Sequence, residues 1–149
     1  REICLKYNFP WRVVDQTGPR DRPDCYQADW NNLHRNVKLR FGQEDCLRAI
    51  DQSEEGGIIN AATGFGKTFV FEAVAHLYPR AKIDIVVPPK DVAKKVLGQL
   101  TASFPNVGIV TGEQNVLGER ITVFTADSMH KANGEADIVL ADEAHELCS

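Results

Sequence analysis

The sequence feature that most constrains this chain is a glycine-containing loop, A-A-T-G-F-G-K-T, at residues 61–68. It follows a short β-branched run at residues 58–60 and precedes a segment, residues 67–78, whose apolar side chains recur at helical spacing. Gly64 and Gly66 lack Cβ atoms, so the backbone can curl closely around a phosphate, and the free amides at a helix N-terminus attract an anion. The sequence therefore predicts a buried strand, a phosphate-binding loop and a helix, in that order.

Two side chains of this loop suit nucleotide chemistry. Lys67 is expected to contact the β- and γ-phosphates, and the Thr68 hydroxyl to ligate the Mg²⁺ that bridges them. The expected nucleotide-binding residues of the loop are Ala62, Thr63, Gly64, Phe65, Gly66, Lys67 and Thr68. Because the pattern opens with Ala61 where glycine is usual, a glycine-rich turn that merely precedes a lysine is the alternative.

A second motif, D-E-A-H, follows an apolar run that predicts a strand over Asp137–Ala141. Ligands of open α/β sheets bind at the C-terminal ends of the strands. Asp142 is therefore expected to hold Mg²⁺ directly or through water, and Glu143 to orient and deprotonate an attacking water. A solvated acidic helix start is the alternative. The expected catalytic residues are Lys67, Asp142, Glu143 and His145, the last as a connection to a neighbouring domain.

The remaining pattern from residue 39 onwards alternates between helices and strands. Apolar runs predict strands, and helical spacing predicts helices, one of them beginning at an Asp91 cap with Val92, Val96 and Leu100 facing inward. Such alternation predicts a mainly parallel sheet covered by helices. The predicted strands are Ile83–Val87, Val107–Val110 and Ile121–Phe124, and a further helix is predicted over Gln43–Asp51.

Residues 1–38 lack the regular alternation of the rest of the chain, because prolines interrupt them. They contain only short strand-like pieces, at Ile3–Tyr7 and Trp11–Val14. We expect an N-terminal accessory segment of unknown fold.

The whole chain carries a net charge of −4, which argues against a uniformly basic surface for nucleic acid but not against local binding of phosphates. The four cysteines show no C-x-x-C spacing, so reduced thiols are expected and zinc is not.

The two motifs together resemble the first motor domain of a superfamily-2 helicase, which has a RecA-like P-loop fold. The resemblance covers residues 39–149, the expected helicase ATP-binding domain, which stops before a second motor domain. The run Leu39-Arg40-Phe41-Gly42-Gln43 resembles the L-R-x-x-Q entry of the type III restriction subunit, RecG and phage repair-helicase group. The resemblance implies that Gln43 reads the adenine edge, as a bidentate amide can, with Arg40 beside it at the nucleotide.

Three weaker segments resemble loops that grip the nucleic-acid backbone in such motors. They follow three predicted strands in family order, and hydroxyls and amides in such loops bind phosphate without reading sequence. Pro89 stands where threonine is common, which removes one hydroxyl. The implied nucleic-acid-binding residues are Pro88, Pro89, Lys90, Thr111, Gly112, Thr125, Asp127 and Ser128.

The resemblance implies an ATP-dependent DNA helicase or translocase that uses ATP and Mg²⁺, with DNA favoured over RNA as partner. A second RecA-like domain, in the same longer chain or a partner chain, would supply an arginine finger, so this polypeptide alone is expected to be a weak ATPase. The alternatives are a regulatory nucleotide- or DNA-binding module, an RNA helicase, or a small P-loop kinase, which would leave D-E-A-H and Gln43 unexplained. We expect a cytoplasmic location, nucleoid-associated or in the host cytoplasm if phage-encoded, with no membrane partner.

Overall fold

The computed structural model describes residues 24–53, 56–62 and 64–143 of the chain, so the pieces expected at Ile3–Tyr7 and Trp11–Val14 lie outside the described residues. The helices are α1 (Trp30–Asn36), α2 (Gln43–Gln52), α3 (Lys67–Leu77) and α4 (Lys90–Ser103). The strands are β1 (Ile83–Val87), β2 (Gly108–Val110), β3 (Asn115–Val116), β4 (Ile121–Thr125) and β5 (Ile138–Ala141). Short 3-10 helices span Asp24–Tyr26 and Ala126–Lys131.

The five strands form one sheet in the order β3-β2-β4-β1-β5. Every neighbouring pair is parallel except β2 with β3, which form an antiparallel pair. In the parallel part, Ile85 of β1 lies opposite Val123 of β4 on one side and Leu140 of β5 on the other. The predicted α/β class, a mainly parallel sheet flanked by helices, is confirmed. Among these strands, only β3 is unforeseen, because two residues are too few to show a period.

The strand predicted over residues 58–60, directly before the glycine loop, is wrong for this structure. Those residues have no regular structure, and Ile58 and Ile59 are 51% and 47% exposed. A β-branched run raises strand propensity, but a strand also needs a hydrogen-bonded neighbour, and propensity is easily overridden by context. Residues 58–60 pair with none of the described strands.

Asp91 is likewise not the cap of α4. The helix begins one residue earlier, at Lys90, and its N-cap is Pro89 in an extended conformation. Asp91 instead lies in the first turn, where its carboxylate interacts favourably with the positive end of the helix dipole. The predicted inward face is otherwise present: Val96 and Leu100 are fully buried, and Val92 is half-buried against the core.

Helix α3, which follows the glycine loop, is held at its C-terminal end by side chains and amides from distant parts of the chain. The backbone N–H of Asp29 donates to the carbonyl of Leu77 at 2.7 Å, and Asn32 Nδ2 donates to the carbonyl of His76 at 2.7 Å. These bonds satisfy carbonyls that a helix end leaves without intrahelical partners. The described part of the expected accessory segment, residues 24–38, thus packs with the sheet in one core that includes Leu33. The division of the chain at residue 38 stays a prediction.

Helices α1, α2 and α3 meet at one carboxylate of α2. Asp51 accepts a hydrogen bond from Trp30 Nε1 at 3.2 Å and another from the Tyr78 hydroxyl at 3.1 Å. Because Trp30 begins α1 and Tyr78 follows α3, this single side chain ties three helices together. The C-terminal end of α2 is thereby held against α1 and the C-terminal end of α3.

No described helix has the length and apolar character that crossing a bilayer requires. Of the four cysteines, Cys25 and Cys46 belong to the described residues, and both are free thiols.

Arg120, just before β4, completes the anchoring of α3. Its Nη1 donates to the carbonyls of Ala75, Tyr78 and Ala81 at 3.3, 3.3 and 3.4 Å, and its guanidinium lies 5.0 Å from the ring centre of Phe104. We predict that Arg120→Ala lowers the free energy of unfolding by about 2 kcal/mol, because three carbonyls lose a charged donor and the ring loses a stacked cation. Urea unfolding measures this change. Arg80→Ala, which removes an exposed arginine from the same region, should change stability by less than about 0.5 kcal/mol, and equal losses in both variants would contradict the role of Arg120.

Candidate nucleotide site and nucleic-acid interface

The glycine loop has the backbone geometry that phosphate binding requires. Gly64 and Gly66 have φ angles of 86° and 89°, a region that glycine adopts without strain. Gly66 is the N-cap of α3, so the unpaired amides of the first helical turn begin at Lys67 and point into the loop. A Cβ on Gly66 would lie 3.1 Å from Gln43 Nε2, so the Gln43 amide would have to shift by a few tenths of an ångström to accommodate it. Thr63 lies outside the described residues.

Gln43 is almost completely buried, at 1% exposure, and both ends of its amide are bonded to backbone. Its Nε2 donates to the carbonyl of Phe65 at 2.9 Å, and its Oε1 accepts from the N–H of Arg40 at 2.8 Å. The side chain therefore joins the start of α2 to the glycine loop. Adenine recognition by Gln43 stays a prediction, and it would require the exchange of at least one of these two bonds for the base. The Arg40 residue itself is exposed.

The two acidic residues follow directly from the pairing of β5 with β1. The N–H of Asp142 donates to the carbonyl of Val86 at 2.9 Å, so the parallel ladder extends to the first acid. Glu143 then turns away with a φ of 48°, and its N–H donates to Asp142 Oδ1 at 3.0 Å. A positive φ is uncommon for a residue with a side chain, and such conformations concentrate at functional sites. Ala144 and His145 lie outside the described residues, so the role expected of His145 is a prediction.

Lys67 connects the glycine loop to these acids. Its Nζ lies 2.8 Å from Glu143 Oε1 and 3.7 Å from Asp142 Oδ1. The hydrogen bond to Glu143 raises the pKa of Lys67 above its ordinary value, against a smaller opposing effect of desolvation, and the charge of Asp142 adds to the increase. The ammonium is therefore fully protonated at neutral pH. Asp142 is the most enclosed of the three side chains, at 15% exposure.

The predicted nucleic-acid-binding residues lie in three loops at the same C-terminal edge of the sheet, after β1, β2 and β4. The hydroxyls of these residues form hydrogen bonds within the protein. Thr111 Oγ1 accepts from the N–H groups of Glu113 and Gln114 at 3.2 and 3.1 Å. Thr125 Oγ1 donates to Ser128 Oγ at 3.0 Å. All three hydroxyl residues are buried. Among the predicted residues, the exposed ones are Pro89, Gly112 and Asp127, while Pro88 and Lys90 are half-buried.

The family described as "Type III restriction enzyme, res subunit" matches residues 36–149. The chain belongs to this family. It is a family of superfamily-2 helicase-like proteins with a RecA-type motor domain, that is, of ATP-dependent nucleic-acid motors. No curated protein is significantly similar to the chain in sequence.

Oxygen atoms of this res-subunit domain suit an Mg²⁺ ion that the protein and a nucleotide would bind together. Mg²⁺ prefers hard oxygen ligands and is commonly held by one or two carboxylates together with phosphate oxygens. Asp142 and the Thr68 hydroxyl offer oxygens of that kind at the end of β5 and the start of α3. The described residues contain no group of three or more His, Cys, Asp or Glu that could hold a metal by itself. Phosphate oxygens and water commonly supply the remaining ligands of protein-bound Mg²⁺.

Sequence reasoning missed two groups of residues that shape this site. Asn32, Asp29 and Arg120 anchor α3 from outside every motif, and no spacing signal marks them, because their partners are 39 or more residues away. Glu113 and Lys131 were also missed, although a charged residue beside the Thr111-Gly112 loop would have been a reasonable signal. Glu113 pairs with Lys90 of the segment after β1, and Lys131 donates to the carbonyl of Thr111 after β2.

The ion pair between Lys67 and Glu143 predicts a competition with nucleotide. A triphosphate that binds Lys67 must replace Glu143 as its partner, so we predict that Glu143→Gln tightens ATP binding by about threefold to tenfold, since one nearby negative charge is removed. If Glu143 is the base that the sequence predicts, hydrolysis should fall by about 100-fold or more in the same variant. Isothermal titration and a steady-state ATPase assay measure the two effects.

The matched control is Glu135→Gln. Glu135 pairs with Lys82 at the same distance, 2.8 Å, but at the opposite end of the sheet, where β1 and β5 begin. This variant should leave both ATP affinity and turnover unchanged. Unchanged or weaker ATP binding by Glu143→Gln, beside a normal control, would show that nucleotide does not displace this pair.

Proposed function

We propose that this chain is the first motor domain of an ATP-dependent DNA helicase or translocase, binding ATP with Mg²⁺ and contacting the nucleic-acid backbone. The observation that carries the proposal is the convergence of Lys67 Nζ with Glu143 at 2.8 Å and with Asp142 at 3.7 Å, from two elements distant in the chain. A glycine-rich turn that merely preceded a lysine would not bring that lysine to two carboxylates at the end of a parallel strand.

In this proposal the site works mainly by positioning and charge. The backbone amides at the start of α3 and the ammonium of Lys67 bind the phosphates, and the dipole of α3 adds to their attraction. Bound through Thr68 and Asp142, Mg²⁺ would neutralise charge that develops on the phosphates. Glu143, released from Lys67, would orient a water in line with the γ-phosphate and accept its proton. His145 would transmit the state of the site to a neighbouring domain.

The nucleotide base would lie near the start of α2, where Arg40 and Gln43 adjoin the glycine loop. A Cβ built on Gly42 would lie 3.5 Å from the Phe65 ring, which supports the view that the two loops adjoin at this point. The backbone of nucleic acid would cross the C-terminal edge of the sheet over the loops after β1, β4 and β2. Because their hydroxyls are buried, exposed amides and lysines would make most of the contacts.

Stimulation of ATP hydrolysis by DNA or RNA distinguishes a nucleic-acid motor from a kinase-like enzyme or a regulatory module. We predict that single-stranded, duplex or branched DNA stimulates ATP hydrolysis by the full-length protein, and that Lys67→Ala lowers turnover by about 100-fold or more, since one preorganised charge at the phosphates is lost. A steady-state ATPase assay with each DNA and with RNA measures this. Lys82→Ala, which removes the lysine of the Lys82–Glu135 pair, should keep both turnover and stimulation.

The outcomes discriminate among the candidates. Stimulation by RNA alone would identify an RNA helicase, and turnover indifferent to every polymer would favour a kinase-like enzyme. Binding of nucleotide or DNA without any turnover would identify a regulatory module. Loss of activity in both lysine variants would point to misfolding rather than to loss of the site.

A second prediction concerns the isolated 149-residue polypeptide. The resemblance to superfamily-2 motors implies that an arginine finger from a second RecA-like domain completes the site, an effect of about 10³–10⁵ in rate in related hydrolases. We predict ATP binding but slow, polymer-independent turnover by the isolated polypeptide. Nucleotide binding is measured by titration and turnover by phosphate release. Brisk DNA-stimulated hydrolysis by the isolated polypeptide would contradict the need for a second domain.

A further inference from the structure

The loop between β2 and β3, residues 111–114, is a tight turn that two lysines reach from different elements. The N–H of Thr111 donates to the carbonyl of Gln114 at 2.7 Å, and the Thr111 hydroxyl accepts from the N–H of Glu113 and of Gln114. Three bonds within four residues fix the shape of this turn, which we call the 111–114 turn. Its backbone and the Glu113 side chain therefore occupy defined positions at the C-terminal edge of the sheet.

Lys90 reaches the turn from the loop after β1. Its Nζ forms an ion pair with Glu113 Oε2, and the two side chains are 37% and 74% exposed. The hydrogen bond and the charge of Lys90 hold the pKa of Glu113 below its ordinary value, and the charge of Lys94, one turn further along α4, acts in the same direction. Glu113 is therefore a full carboxylate at neutral pH that faces two ammonium groups.

Lys131 reaches the same turn from the element after β4. Its Nζ donates to the carbonyl of Thr111 at 3.0 Å, next to the buried Thr111 hydroxyl. Because β4 lies between β1 and β2 in the sheet, Lys131 and Lys90 approach the turn from two neighbouring strand ends. Lys90 and Lys94 thus act on the Glu113 carboxylate, and Lys131 binds the Thr111 carbonyl of the same turn. The other acids on these elements, Asp91 and Asp127, lie in the first turns of their helices.

The Lys90–Glu113 pair is exposed, and exposed ion pairs contribute little to stability, about 0–1 kcal/mol. Its removal is therefore compatible with an intact fold. A carboxylate and a phosphate diester both present anionic oxygen acceptors, so the same ammonium groups suit either one. At the 111–114 turn itself, the ammonium groups of Lys90 and Lys94 act on the single carboxylate of Glu113, and Lys131 binds the neighbouring carbonyl. Ammonium groups in excess of carboxylates at one turn attract a polyanion.

We propose that Lys90, Lys94 and Lys131 form a phosphate position for the nucleic-acid backbone, and that Glu113 occupies this position until a phosphate displaces it. Glu113 thereby lowers the affinity of the protein for nucleic acid. The proposal rests on the proposed motor function, and it adds Glu113, Lys94 and Lys131 to the residues that determine how the backbone is held. A motor must release the nucleic-acid backbone and bind it again at each step. A carboxylate that competes with phosphate for the same lysines would make this release easier.

The test is equilibrium binding of a fluorescently labelled oligothymidylate to the full-length protein over a series of salt concentrations. We expect Glu113→Gln to tighten binding by about threefold to tenfold at about 0.1 M salt, since one repelling charge disappears and Lys90 becomes available. The slope of log affinity against log salt should change by less than about 0.7, the value for one phosphate on a single strand, because a phosphate contacts Lys90 in both complexes. Glu135→Gln, which breaks the Lys82–Glu135 pair at the opposite end of the sheet, should bind within twofold of the parent protein.

Combined variants distinguish occupation of Lys90 from general repulsion. Lys90→Gln and Lys131→Gln should each weaken binding and flatten the salt slope by about 0.7. In the Lys90→Gln background, the added Glu113→Gln change should improve affinity by less than twofold, because the competition for Lys90 no longer exists. An undiminished gain in that background would show that Glu113 acts only by its charge, which overturns the proposal.

The parent protein separates failure of this inference from failure of the proposed function. If the parent protein binds oligothymidylate and Glu113→Gln binds it equally well, Glu113 does not compete with phosphate and the inference is wrong. If the parent protein binds no DNA or RNA under any salt condition, both the inference and the nucleic-acid motor are wrong.

Discussion

The parallel pairing of β1 with β4 on one side and β5 on the other is the constraint on which the site depends. Parallel strands end at the same edge of a sheet, so every loop that follows a strand emerges beside its neighbours. The bond from the N–H of Asp142 to the carbonyl of Val86 extends this ladder to the first acid. A slip of one residue between β1 and β5 would move Asp142 to the other face and away from Lys67.

Much of the fold could be predicted from the sequence, because it depends on local signals. The apolar runs that became β1, β4 and β5 and the helical period that became α2, α3 and α4 are visible within windows of five to fourteen residues. The errors occurred where a distant partner decides the outcome. Residues 58–60 have strand propensity but no paired strand, and β3 exists only because the chain turns back on β2. Helix α1 lies in a stretch whose prolines and polar residues hide its packing on α3.

The candidate site was predictable in its residue types but not in its contacts. The residue types and spacing of the glycine loop and of the two acids indicate their chemistry directly. The common edge at which the parallel strands end brings Lys67 to Glu143. Burial, in contrast, cannot be inferred from such letters. Gln43 and Thr111 have the side chains that a ligand contact requires, yet both are buried and bonded to backbone groups that sequence order does not reveal. Whether they also meet ligand depends on which bonds can exchange.

Strand β5 lies at the edge of the described sheet and bonds only to β1, whereas β1 is bonded on both sides. Its residues alternate between half-buried and exposed, with Val139 on the open face. Freeing β5 from the sheet therefore breaks one ladder, while freeing β1 breaks two. Local opening requires least free energy where the fewest buried contacts and bonds are lost. Within the described sheet, the acids Asp142 and Glu143 are thus carried by the parallel strand that is easiest to displace, and the glycine loop faces them from a helix that is anchored at its far end.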